Sequence, residues 1–194
     1  MSEEGLDKIL IDEEIDNTHG FKEEIEYAGF WIRVGAAIID SFVMIPIIAI
    51  SFYNLLSLKS VILLYILTLI SAIYKPLMEW RYGATVGKMA VKIKVVNTEL
   101  KPISIDQAFG RYMPWAISVI ITLMSSTSIY MADNFKNIDT FMELTTMPQD
   151  SSIDTISTVY NIIFMVIVGS LIFDKKKRGF HDKIAKTLCI KANK

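Results

Sequence analysis

Residues 30–52 read FWIRVGAAIIDSFVMIPIIAISF, a run in which Arg33 and Asp40 are the only ionised side chains. At 1.5 Å per residue an 18–23-residue helix is about 27–35 Å long, which matches a hydrocarbon core of about 30 Å. Three more windows share the property. Residues 55–77 carry only Lys59 near one end and Lys75 near the other, whereas 112–130 and 156–173 hold no charged residue. Four such windows in 194 residues predict an all-α membrane protein, a bundle of about four transmembrane helices. Buried helices of soluble proteins are usually shorter and rarely come four to a chain this size.

Composition agrees with the windows. The chain is 52% hydrophobic with mean hydropathy +0.40, above the soluble norm of roughly 45–50% apolar residues. Aromatic residues stand at the window ends, with Phe30 and Trp31 opening the first, Tyr112 and Trp115 opening the third, and Tyr53, Tyr74 and Tyr130 at other ends. That is where amphipathic rings sit in a bilayer interface.

The net charge of −1 hides a segregation of signs. Residues 1–29 hold ten acids against Lys8 and Lys22, and residues 174–194 hold eight bases against Asp174 and Asp182. Between windows two and three lie Arg81, Lys88, Lys92, Lys94, Lys101 and Arg111, while the opposite loops offer only Lys59 and Lys136. Lys/Arg excess marks the cytoplasmic side, so both basic segments, and with four spans both termini, are expected inside. The basic segments are expected to meet anionic lipid headgroups. The first 25 residues are acidic and lack an apolar core, so no cleaved signal is expected and the first span serves as an anchor. Residues 1–27 then read as an acidic cytoplasmic tail and 28–194 as the transmembrane domain.

Short local signals fill the rest. Residues 88–96 alternate, with Val91, Ile93 and Val95 on one face, and predict a strand; Thr187–Lys191 is a second, and the two are expected to pair at the cytoplasmic surface. Ser104 and Gln107 form a capping-box pattern for a short interfacial helix before Pro114. Residues 131–155 form a long acidic outer loop, expected to fold partly as helix.

Chemistry, if any, rests on charges inside spans. Arg33 and Asp40 are seven apart, two turns, and share a face of the first helix. A mid-membrane carboxylate costs several kcal/mol unless compensated. Asp40 is therefore an ion or proton site, or a polar clamp paired with a neighbour such as Arg33, Arg111 or Lys75. Arg33 also has the option of snorkelling to the headgroups. The turn Gly83-Ala84-Thr85-Val86-Gly87-Lys88 has a phosphate-loop flavour, but its glycines are one residue too close and Met89 stands where Ser or Thr should follow. A tight cytoplasmic turn is the better reading, with Lys88 near lipid phosphates. One cysteine and two scattered histidines predict no internal disulfide and no metal site. No nucleophile–base pair or cofactor motif adjoins a span, so neither an enzyme nor a cofactor is expected, and nothing points to nucleic acid.

Phe30–Asp40 resembles the opening signature of the RDD family of bacterial membrane proteins, named for one arginine and two aspartates. The Gly83–Lys88 turn resembles that family's Gly-x-Thr-x-Gly-Lys turn, and Arg178–Thr187 its C-terminal His-Asp segment, with Lys186 where the family usually has glycine. The resemblance implies that Arg33, Asp40 and Asp182 are the signature residues, that the bacterial cell membrane is the location, and that cation/proton exchange is one function to weigh. Four helices are few for a transport path, so transport implies a homo-oligomer. The alternative is a non-catalytic membrane component that assembles with or anchors other proteins.

Overall fold

A computed structural model describes residues 25–146 and 151–192. The tail expected over residues 1–27 therefore lies almost entirely outside the described residues. The helices are α1 (Phe30–Val43), α2 (Ile45–Tyr53), α3 (Val61–Tyr82), α4 (Val86–Ala90), α5 (Ile105–Met131), α6 (Phe141–Thr145), α7 (Ser151–Gly169) and α8 (Phe180–Ile184). The strands β1 (Ile93–Asn97) and β2 (Thr187–Lys191) pair antiparallel, Ile93 opposite Lys191 and Asn97 opposite Thr187. Helices α3, α5 and the segment Ser151–Phe173 are each long and apolar enough to cross a membrane, and the bent pair α1–α2 supplies a fourth candidate.

The burial pattern is inverted relative to a soluble protein. Ile62 is 72% exposed and Met165 74%, whereas Glu79, Arg111 and Asp182 are buried. Apolar atoms outside and charges inside suit a lipid solvent, where the unfavourable face is the polar one.

The first span departs from a straight helix. Pro46 at the start of α2 lacks an amide proton and crowds the carbonyl one turn back, so the chain breaks at Met44 and bends by 50°. A π turn at Asn54–Leu58 follows, so those residues close the first span rather than open the second. Asn54 is fully buried there: its amide donates to the Ser60 carbonyl (2.9 Å) and Tyr130 hydroxyl (3.0 Å), and its oxygen accepts from Ser60 N (3.0 Å). Ser60 then caps α3, which runs five residues past the expected end at Leu77 before Gly83, at φ 70°, stops it.

Ser104 and Gln107 do form the capping box, but the helix they start is α5 itself, running through Pro114 to Met131 without a separate interfacial piece. The Tyr160 hydroxyl of α7 donates to the Pro114 carbonyl. In the loop at the opposite end, Lys59 pairs with Asp139 (3.2 Å) and α6 supplies one helical segment.

The strand expected over 88–96 is shorter. Thr85 accepts from Lys88 N and caps α4, and β1 begins only at Ile93. Residues 26–28 flank the free edge of β2, with Ala28 N donating to Cys189 O (2.9 Å) and Lys191 N to Glu26 O (2.8 Å). Lys186 has φ 52°, the left-handed conformation that costs a side chain roughly 1 kcal/mol and that glycine adopts freely. This explains the glycine common at that position in the family it resembles.

Candidate functional site: a buried ion chain and an interhelical cavity

Asp40 sits in α1 with its carboxylate saturated by neutral donors. Oδ1 accepts from the Tyr74 hydroxyl (3.0 Å) and Gly87 N (2.7 Å), and Oδ2 from the Thr85 hydroxyl (2.6 Å). None of the bases expected as partners pairs with it. The contact requires α4 to lie against α1: a Cβ on Gly87 would fall 2.0 Å from the Ala36 carbonyl oxygen. The Gly-x-Thr-x-Gly-Lys turn is thus the receptor for Asp40, Thr85 and Gly87 supplying the donors.

Arg33 faces the same way but reaches elsewhere. Its guanidinium donates to Asp182 Oδ2 (2.6 Å), to the Lys177 carbonyl (2.6 Å) and, through Nε, to the Ala28 carbonyl (3.1 Å). Two of the three signature residues therefore meet, and Asp40 binds a different element.

Asp182 continues the chain. Oδ1 accepts from Arg111, which donates through Nε to Glu79 (3.0 Å), and Glu79 pairs in turn with Lys88. Lys88, expected at lipid phosphates, is buried against Glu79 instead. Arg33, Asp182, Arg111, Glu79 and Lys88 thus alternate in sign across α1, α8, α5, α3 and α4. Arg111 also donates to Thr187 (2.6 Å), tying in β2. Asp182 and the Gly83–Lys88 turn are thus linked through Arg111 and Glu79. Burial alone would raise the Asp182 pKa, but the Arg111 guanidinium, His181 and Arg33 outweigh it and hold the carboxyl well below the usual range. Burial pushes the His181 imidazole below its usual value, against the pull of the Asp182 carboxylate. Its Nδ1 has no hydrogen-bond partner among the described residues, and Trp115 meets its ring edge-on at 5.0 Å.

Inside this frame lies a cavity of about 500 Å³ between the helices, within the 300–1,000 Å³ typical of small-molecule sites. Its polar lining includes Arg33, Asp40, Lys75, Lys88, Arg111 and His181. Lys75 differs from the other cations. Among the described residues no carboxylate lies within ion-pair distance of it, and its ammonium sits 3.3 Å above the Trp115 ring.

Sequence reasoning placed Arg33, Asp40, Asp182 and the turn, and missed Glu79, the bridging part of Arg111, and the Lys75–Trp115 pair. The available signal was spacing: Lys75 and Glu79 are one turn apart in α3, as are Arg111 and Trp115 in α5.

Asp40 carries a prediction. In Asp40→Asn the amide oxygen retains Tyr74 and Gly87, while its NH₂ can donate to Thr85, so folded yield should stay near wild type. Asp40→Leu strands three donors, at about 1–3 kcal/mol each, and should lose most folded protein in size-exclusion profiles. Equal yields for the two variants would remove the clamp.

A bundle of apolar helices with exposed hydrophobic flanks, buried charges and a two-stranded cap defines a polytopic membrane-type protein. Residues 27–186 match the RDD family, and the chain belongs to it. No curated protein and no solved structure matches the chain.

Proposed function

We propose that the protein is a transport-type membrane component that binds a charged solute in this cavity and works as an oligomer in the bacterial cell membrane. The observation that carries the reading is Lys75, which lines this cavity over the Trp115 ring with no carboxylate at ion-pair distance among the described residues. A buried charge without a partner is expensive, and membrane proteins keep such groups where a pathway needs them.

The cation/proton form of transport places the proton on Asp40. Against it stands the saturation of Asp40 by three donors, since a metal ion would have to turn the Tyr74 and Thr85 hydroxyls away. The cationic lining around Lys75 favours an anion, or a proton-linked anion, as cargo. A second reading, an anchoring component for other proteins, draws support from the ion chain, which fastens the two-stranded sheet to α1, α3 and α5 as a rigid platform. The Lys/Arg bias puts that platform in the cytoplasm: a reporter after Lys94 should read inside and one near Glu143 outside, and the reverse would overturn the orientation.

Liposomes holding purified protein test transport. Protein-dependent proton flux is expected under an imposed anion gradient, falling about tenfold or more in Lys75→Gln. Loss in well-folded Asp40→Asn alone would assign the site to Asp40 instead. Wild-type flux no greater than that of empty liposomes would contradict transport and leave the anchoring role.

A further inference from the structure

The cavity is apolar along one wall and cationic at one end. Phe30, Val34, Ala37, Met44 and Ile48 recur at helical spacing, so a whole face of the bent first span borders it. Val168 and Leu171 face it from α7 and the turn that follows. The charges can be counted. Arg33, Lys75, Lys88 and Arg111 supply four positive charges, and the carboxylates bonded within the same assembly, Asp40, Glu79 and Asp182, supply three negative ones. His181 adds none while neutral. With Lys75 protonated one positive charge remains, and among these four cations Lys75 is the one with no carboxylate at ion-pair distance, so an anion bound beside it would also hold its proton.

We propose that the cavity binds a single-chain amphiphilic monoanion, a medium- to long-chain carboxylate, with its headgroup on the Lys75 ammonium and its chain along the α1–α2 face. This deepens the transport reading and rests on it for the site's purpose, though the binding itself does not require flux. A monoanion neutralises the surplus, whereas a dianionic phosphate would leave an uncompensated negative charge in the same low-dielectric space. A volume of about 500 Å³ has room for one acyl chain and its carboxylate. The Trp115 ring beneath the ammonium leaves its upper side to the ligand, and the carboxylate takes the place of the missing ion-pair partner.

Trp115 also provides the probe. In a Trp31→Phe, Trp80→Phe background it is the sole tryptophan, and a brominated fatty acid in detergent should quench its fluorescence saturably. The brominated methyl ester, identical in chain but uncharged, should quench only as a background linear in concentration. Lys75→Gln should weaken the acid's affinity roughly tenfold, about 1.4 kcal/mol, with Lys75→Arg close to wild type. Equal quenching by acid and ester overturns the proposal even if Lys75→Gln fails to fold. Stronger saturable quenching by a brominated phosphatidylglycerol than by the acid overturns it in favour of a diacyl lipid. Saturable acid binding without flux in liposomes would sink transport and support the ligand, and flux of another ion without acid binding would do the opposite.

Discussion

Gly87→Ala is expected to abolish folded protein. The added methyl would lie 2.0 Å from the Ala36 carbonyl oxygen, 2.9 Å from its carbon and 2.9 Å from Asp40 Cγ. Two of these atoms are backbone and cannot rotate away. Relief requires α4 to retreat from α1, which also breaks the Gly87 N to Asp40 bond of 2.7 Å and misplaces Thr85. Overpacking alone costs about 1–3 kcal/mol, and loss of charge-assisted bonds adds about 1.5–3 each. A useful control is Gly169→Ala, where nothing lies within 4 Å and helix propensity favours alanine. Thermal melting in detergent should show no folded Gly87→Ala and an unchanged or slightly raised midpoint for Gly169→Ala. A normal melt for Gly87→Ala would mean that the α1–α4 contact is looser than described.

The second large effect belongs to Arg111. One guanidinium serves Glu79 through Nε and Asp182 and Thr187 through Nη1, so Arg111→Met leaves two buried carboxylates each short of a partner. Removing one member of a buried ion pair typically costs about 3–5 kcal/mol, and here two pairs share the residue. Arg111→Lys should recover little, because a point ammonium cannot span two carboxylates in the guanidinium's fork geometry. Pairing Arg111→Met with Glu79→Gln should cost less than the sum of the two single losses, since both remove the same Arg111–Glu79 bond, although the amide also leaves Lys88 without its carboxylate. Melting temperatures that are additive across that pair would argue against the chain acting as a unit.

Much of this was legible before the fold was known. Length and hydropathy located three candidate spans and a bent fourth, because a bilayer sets helix length. The resemblance of three motifs singled out Arg33, Asp40, Asp182 and the turn. What stayed hidden was partnership. Lys88 and Arg111 read as loop bases because a one-dimensional count cannot show that Glu79, near the end of α3, draws both inward. Residues 88–91 alternate like a strand, yet the Thr85 cap and the Gly87–Asp40 contact hold them in a helical turn, a tertiary demand that overrides the local pattern. The bend at Met44 follows from Pro46, a residue-level cause that hydropathy averaged over a whole window does not register.

The central claim is that an accessible cavity inside the bundle carries a surplus positive charge centred on Lys75. A cysteine at Ser71, which lines the cavity, in a Cys189→Ser background reports on it directly. Its rate of reaction with a sulfonate-bearing methanethiosulfonate should exceed the rate with the trimethylammonium analogue, after correction for intrinsic reactivity, and Lys75→Gln should remove the difference. Equal or faster reaction with the cationic reagent, or no reaction with either, would contradict the account.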